Sequence, residues 1–373
     1  MAKKETKMPL PKIYLDDDLF STQEQRDDKL KEKVVNISLN DIDDFPKHPF
    51  KVIDNEDMKQ MAESISENGV LVPTLVRPKE NGKYEMISGF VMASKGEKIS
   101  KSKGNSKVEP MDLINEYSAD VLRYWAGTGR LGTDIVFSDE TLLRGKKLIN
   151  KIWNVSKFIE MHLQDYQDKE FDDFEYIDKW ILGKSQEMEK QFIKYLDDYE
   201  VGLALNLLEK FFWNFCDNYI EIVKHRLYRP EEFGDIPRYS GQKTVYIILY
   251  KLLQNFSIYF PYITEEIYQE LYHDNKSIHI TKIKPLNYNF GNEIKNGDLI
   301  IDIIRQARGE KSNNNLSLKT PIKNLDLSLN NELKEAINKS IKDFKATLFV
   351  NNLIINDVND DYKINTIELD LED

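Results

Sequence analysis

The residues best placed to do chemistry in this 373-residue chain lie in one short row, Lys98-Ile99-Ser100-Lys101-Ser102-Lys103-Gly104-Asn105. Lysines on a mobile loop can meet the charge that grows on phosphate oxygens as pyrophosphate leaves a nucleoside triphosphate. That charge peaks in the transition state, so such lysines are catalytic as well as binding groups. The serines between them keep the loop flexible and supply hydroxyl donors, and Gly104 lets the backbone approach a ligand closely. On charge alone the wider run from Lys95 to Lys107, with five lysines and one glutamate, reads first as a solvated loop.

Few other residues offer chemistry. Cys216 is the single cysteine, so the chain has no internal disulfide and no cysteine-built zinc site, which fits a reducing cytosol. His48, His162, His225, His273 and His279 are scattered, with no two at helical ligand spacing, and no metal is expected. A net charge of -12 argues against non-specific coating of nucleic acid but leaves room for a local basic surface. With 40% apolar and 31% charged residues the chain reads as soluble and globular, and no apolar run is long enough to span a bilayer. The polar, basic start from Met1 to Lys12 has no signal-peptide core.

The elements around the row fall into blocks. Residues 1–33 read as a flexible arm. An α+β stretch comes next: a strand at Val34 to Leu39, a helix at Met58 to Glu67 ended by Gly69, strands at Val70 to Arg77 and Tyr84 to Ile87, and a turn at Asn81-Gly82. Beyond the lysines the chain turns helical. Pro110 starts one helix and Ala119 to Ala126 forms another. Asp139 to His162, Ile177 to Tyr199, Gly202 to Leu227 and Thr244 to Tyr259 are long and amphipathic. Pro261 breaks the pattern and Thr264 to Tyr272 restarts it. From about Asn296 a smaller α/β piece has a helix to Ala307, strands near Leu325 and Leu353, and a helix from Glu332 to Phe344. Trp125, Trp153, Phe215, Tyr262 and Cys216 are expected to pack in the core.

The lysine row resembles the Lys-Met-Ser-Lys-Ser signature of class I aminoacyl-tRNA synthetases, with Ile99 replacing one apolar anchor by another. Its flanks Gly96-Glu97 and Val108-Glu109-Pro110 are similar to that family as well. Ser118 to Trp125 is similar to the segment after the loop in the valyl, isoleucyl and leucyl group. Leu131-Gly132-Thr133-Asp134 and Gly145 to Asn154 look most like the valyl type, and Phe215 to Glu221 and Pro261 to Tyr268 resemble its anticodon-binding helices. The resemblance implies ATP as cofactor. Lys98 and Lys101 would be catalytic, and Lys98, Ser100, Lys101 and Ser102 would contact its phosphates. It implies tRNA as partner, tRNA(Val) by type. Lys146, Lys147, Lys151, Lys224 and Arg226 are the candidate tRNA contacts, though either cluster also reads as a solvated helix face.

Residues 34–90 resemble something else. His48 to Val52, Met61 to Ile65, Asn68 to Pro73 and Tyr84 to Gly89 are similar in order and spacing to the N-terminal domain of the ParB partition family. In that family Ile-Ser-Gly continues into a basic phosphate-binding helix. Here it continues as Phe90-Val91-Met92-Ala93, and the later DNA-reading helices have no counterpart, so specific DNA binding is not expected. Residues 86–92 also resemble the strand leading into the lysine loop, which suggests a fusion at a shared word.

The expected fold class is mainly α: a helical class I anticodon-binding domain, a small ParB-like α+β domain and a small C-terminal α/β piece. The expected divisions are 1–33, 34–90, 91–135 for the loop and stem-contact region, 136–290 for the helical domain, and 291–373. The sequence holds no His-x-Gly-His motif and no alternating β/α nucleotide fold, so aminoacylation by this chain alone is not expected. Three readings stand: a cytoplasmic tRNA-binding module of valyl type, a fragment completed by a separate N-terminal half, and a ParB-like regulatory or mobile-element protein.

Overall fold

The computed structural model describes residues 41–43, 76–78, 83–86, 91–94, 97–98, 110–129, 135–272, 276–358 and 362–370. The chain divides into two units, 1–88 and 89–373. In the first, β3 (Tyr84–Met86) lies between β1 (Ile42–Asp43), parallel to it, and β2 (Val76–Pro78), antiparallel. The expected arm, the strand from Val34, the helix from Met58, the start of the strand from Val70 and the turn at Asn81-Gly82 lie outside the described residues.

The second unit opens with a sheet of order β5-β4-β6. β4 (Val91–Ser94) pairs antiparallel with β5 (Glu97–Lys98) and parallel with β6 (Ile135–Val136). α1 (Pro110–Tyr117) and α2 (Ala119–Gly127) lie between the lysine row and β6, and α3 (Asp139–Leu163) comes after it. Pro110 sits at the first helical position, where its missing N–H costs nothing. Ser118 and Ser138 cap α2 and α3 through hydroxyls that accept from Val121 N and Thr141 N.

A bundle comes next: α4 (Tyr176–Asp197), α5 (Val201–Asn214), a π turn (Phe215–Tyr219), α6 (Ile220–Tyr228), the short α7 (Pro230–Phe233), α8 (Asp235–Phe256) and α9 (Pro261–Tyr272). The stretch from Val201 to Tyr228 is helical throughout, as its periodicity predicts, apart from the π turn. α8 starts nine residues before the Thr244 the apolar pattern picks out. Its first turns bury polar side chains. Gln242 donates to His162 O at 2.7 Å, Arg238 grips both Asp165 oxygens at 2.6 and 3.0 Å, and Ser240 lies beneath Asp178. Pro261 does not break a helix. It occupies the first turn of α9, whose Tyr262 and Ile263 amides donate to the buried Asp120 carboxylate at 3.1 and 2.9 Å. Tyr262 itself is 70% exposed, against expectation, because its position at the helix start points it off the packed side.

The last part holds α10 (Gly291–Asn313), then β7 (Ile322–Leu329), α11 (Asn331–Lys339), α12 (Ile341–Leu348), β8 (Val350–Asp357) and β9 (Tyr362–Leu369), in a sheet of order β8-β7-β9. The sequence reading runs α11 and α12 together and misses β9. Ser340 separates the helices: its hydroxyl donates back to Ala336 O at 2.9 Å and its φ of -115° leaves the helical range. In β9 the apolar alternation slips between Ile364 and Ile367, at an irregularity in its register with β7. α10 outlasts its apolar stripe because Lys311 is buried, donating to Leu348 O at 2.7 Å and Leu318 O at 3.1 Å. Burial, aided by Arg308, pushes its ammonium down to about 8.

One polar network ties the bundle to this α/β part. Arg226 on α6 is 1% exposed. Its Nη1 and Nη2 donate to Asp178 on α4 at 2.9 and 2.7 Å, and its Nε donates to Asp343 on α12 at 3.0 Å. Tyr219 also donates to Asp178 at 2.7 Å, and Pro237 O accepts from Nη1 at 2.8 Å. Two carboxylates thus share one guanidinium. Burial and the repulsion of Asp178 and Glu175, only partly offset by Arg226, push the Asp343 carboxyl up to about 7.

Because Asp343 holds its proton more tightly folded than unfolded, its contribution to stability is full near pH 4 and is lost as pH rises toward 7. Asp343→Asn is therefore expected to match the wild type near pH 4 and to gain on it by pH 7.5. Asp178→Asn, which strands part of a buried guanidinium, is expected to cost about 3 kcal/mol at pH 7. Urea denaturation of the three proteins across that pH range checks both. Gly145 gives a separate test. A Cβ there would stand 2.6 Å from the Tyr124 ring, so Gly145→Ala is expected to lower stability by about 1–3 kcal/mol through overpacking, read by thermal melting.

Candidate nucleic-acid interface

The lysine row begins at the end of a strand. Lys98 is the last residue of β5, and its main chain is fixed by pairing with Met92. Ser100, Lys101 and Ser102 lie outside the described residues, as do Leu131 to Asp134.

The segment after the row is locked to the bundle by side chains that the sequence reading leaves without roles. Tyr124 is fully buried and stacks on Phe260 at 5.4 Å. Its hydroxyl donates to Glu209 on α5 at 2.8 Å, and Arg144 on α3 donates to the other oxygen of that carboxylate at 2.6 Å. Arg123 donates to Ile258 O at 2.8 Å. Together with the Asp120 cap on α9, these bonds give Ser118 to Trp125 a structural purpose: they hold α2 on the bundle. Trp125 and Trp153 are half-buried, while Phe215 and Cys216 are buried, with the Cys216 thiol pushed up to about 12 by burial.

The candidate tRNA contacts separate into two groups. On α3, Lys146 and Lys147 are exposed and Lys151 is half-buried. Lys146 stands 6.0 Å from the Tyr117 ring. Lys151 lies 5.6 Å from the Trp213 ring and 3.7 Å from Asp217. The second group changes character. Arg226 is not an RNA contact, because it is buried and committed to Asp178 and Asp343. His225 is pushed down to about 4 by burial and by Arg229 and Lys224, so it is neutral at pH 7 and its Nδ1 accepts from Arg229 at 2.8 Å. Lys224 pairs with Glu221 at 2.6 Å. The basic surface is thus the α3 row beside the end of α5, where Trp213 is 38% exposed. The run Phe211-Phe212-Trp213 hides Trp213 from a reading by composition. Its spacing from Lys210 and Asp217, at i−3 and i+4, marks it as lying on the polar side.

Comparison with known proteins matches three family models. Residues 178–329 match the anticodon-binding domain of tRNA ligase, and residues 70–138 match the tRNA synthetases class I (I, L, M and V). Residues 23–91 match the ParB N-terminal domain, so two families overlap over residues 70–91. The valine--tRNA ligase of Rickettsia felis is 39% identical over 300 residues, 76% of this chain and 34% of that protein. That of Rickettsia canadensis is 40% identical over 269 residues, covering 67% and 32%. That of Ehrlichia ruminantium is 41% identical over 254 residues, covering 66% and 30%. The chain thus spans about a third of the length of these relatives. A solved leucyl-tRNA synthetase–tRNA complex from Agrobacterium radiobacter K84 covers 74% of this chain and 33% of that one at 14% identity and a TM-score of 0.42, too weak a likeness to bear on the assignment. The chain joins a ParB-like N-terminal segment to a mainly α region of class I tRNA synthetase type, similar to valine--tRNA ligases over their shared third and matching an anticodon-binding domain over residues 178–329.

Proposed function

We propose that this chain binds tRNA, tRNA(Val) by type, in the cytoplasm, through the helical bundle and its α3 basic row, and does not aminoacylate it unaided. The observation that carries this reading is the anticodon-binding match over residues 178–329, on a body whose neighbouring helix offers Lys146, Lys147 and Lys151 to solvent. Helical RNA is held mainly through phosphates and 2′-hydroxyls, and lysines on a rigid helix supply that contact. In a complete class I enzyme the row from Lys98 would meet ATP. Lys98 and Lys101 would then stabilise charge on the departing pyrophosphate, with Ser100 and Ser102 donating to phosphate oxygens. That step needs a fold that positions ATP and valine. The chain alone would carry out only the RNA-binding part, and a separate N-terminal half supplying that fold is the alternative in which the chain is a fragment of an active enzyme.

A second reading rests on the ParB N-terminal match at residues 23–91: a ParB-like regulatory or mobile-element protein whose synthetase part is an inherited scaffold. Binding of tRNA separates the two.

Filter binding with a tRNA(Val) transcript across a salt series is expected to give saturable binding whose log K falls linearly with log salt. Replacing Lys147 and Lys151 by Gln is expected to reduce that slope by about one to two. Absence of saturable tRNA binding would favour the second reading. Valine-dependent ATP–pyrophosphate exchange is expected to be absent for the chain alone and to appear when an N-terminal half is supplied. Exchange by the chain alone would contradict the proposal.

A further inference from the structure

We propose that Trp213 is a stacking platform for one unpaired base of the bound RNA, with the Asn214–Asn218 amide pair meeting that base's polar edge and Lys151 its phosphate. The inference deepens the tRNA-binding reading above and rests on it.

Three observations carry it. First, the indole is 38% exposed on a helix whose adjacent aromatics Phe211, Phe212 and Phe215 are all buried, so the core does not require it. Phe212 supports it edge-on at 5.8 Å. Second, the helix passes into a π turn two residues later, with the Ile220 amide donating to Phe215 O. Such turns insert a residue and re-aim the side chains beyond it, and they recur at functional sites. Here Asn218 Nδ2 donates to Asn214 Oδ1 at 2.7 Å. That leaves the Asn214 NH2 and the Asn218 carbonyl uncommitted among the described residues, one donor and one acceptor side by side. Third, the surround is cationic. Lys151 is held only loosely, 5.6 Å from the ring and 3.7 Å from Asp217, and Lys147, one turn earlier, makes no ion pair among the described residues.

This composition fits a nucleotide better than a protein partner. Protein interfaces are depleted in lysine around their aromatic anchors. A nucleotide needs what is present: a π-face for the base, hydrogen-bonding groups for its edge and a cation for its phosphate. Lys151 can leave the ring for the phosphate when the base arrives, since neither of its present contacts is close.

The test uses the full chain and two RNA probes: a stem-loop with an unpaired loop, and the same stem closed as a continuous duplex. Trp213→Ala is expected to weaken stem-loop binding on the order of 10-fold or more and to leave duplex binding and the salt slope unchanged. Trp213→Phe is expected to retain most of the affinity. It also provides a control against misfolding, because of the four tryptophans Trp180 is buried and Trp125 and Trp153 are half-buried. Stem-loop addition is therefore expected to quench fluorescence in the wild type and much less in Trp213→Phe. If the wild type binds the stem-loop, and Trp213→Ala binds it equally with quenching unchanged in Trp213→Phe, the platform is overturned while the tRNA reading stands. If the wild type binds neither RNA, both fall.

Discussion

A single buried guanidinium sets the geometry of the body. Arg226 links α4, α6 and α12 through Asp178 and Asp343, two carboxylates far apart in sequence, and it lies where solvent cannot compensate a lost partner. Taking such a charge out of water is costly, and only close, multiple hydrogen bonds offset it. The network therefore punishes any other arrangement of the helices it joins. An apolar core alone, with leucine and phenylalanine on every facing stripe, would tolerate small slips between helices. The Arg226 network fixes their register, and the α/β part is held on the bundle by the same bonds.

A second anchor of the same kind holds α2 on the bundle. Glu209 receives Tyr124 and Arg144, and Asp120 receives two amides at the start of α9. These contacts hold α2, α3, α5 and α9 together at the point where α2 meets the bundle. The residues that make Ser118 to Trp125 distinctive as a sequence thus form a junction between α2 and the helices of the bundle. It persists here in a chain that spans about a third of its relatives' length.

Much of the fold is legible in the sequence because apolar spacing and prolines announce helices. α1, α3, α5 and α9 begin or end close to where periodicity places them. Several of the failures share one cause: buried polar groups. The first turns of α8 hide Ser240 and Gln242, and the end of α10 hides Lys311, so a reading that equates polar with exposed stops too soon in both. Arg226 fails for the same reason in the other direction. As a sequence it is one of three consecutive basic residues, Lys224-His225-Arg226, and suggests a cationic surface. In the fold it is core, and His225 is neutral. The partners that decide this, Asp178 and Asp343, lie 48 and 117 residues from it, beyond the reach of any local pattern. Trp213 escapes notice because it sits in a row of phenylalanines, where one exposed aromatic looks like one more core residue.

The proposed tRNA surface is the α3 row together with the end of α5. Ultraviolet cross-linking of the full chain to a tRNA(Val) transcript, with the linked peptides read by mass spectrometry, tests it directly. Cross-links are expected to concentrate in peptides covering residues 144–154 and 210–218. Cross-links confined to the C-terminal sheet of β7, β8 and β9, or to residues before 89, would contradict it.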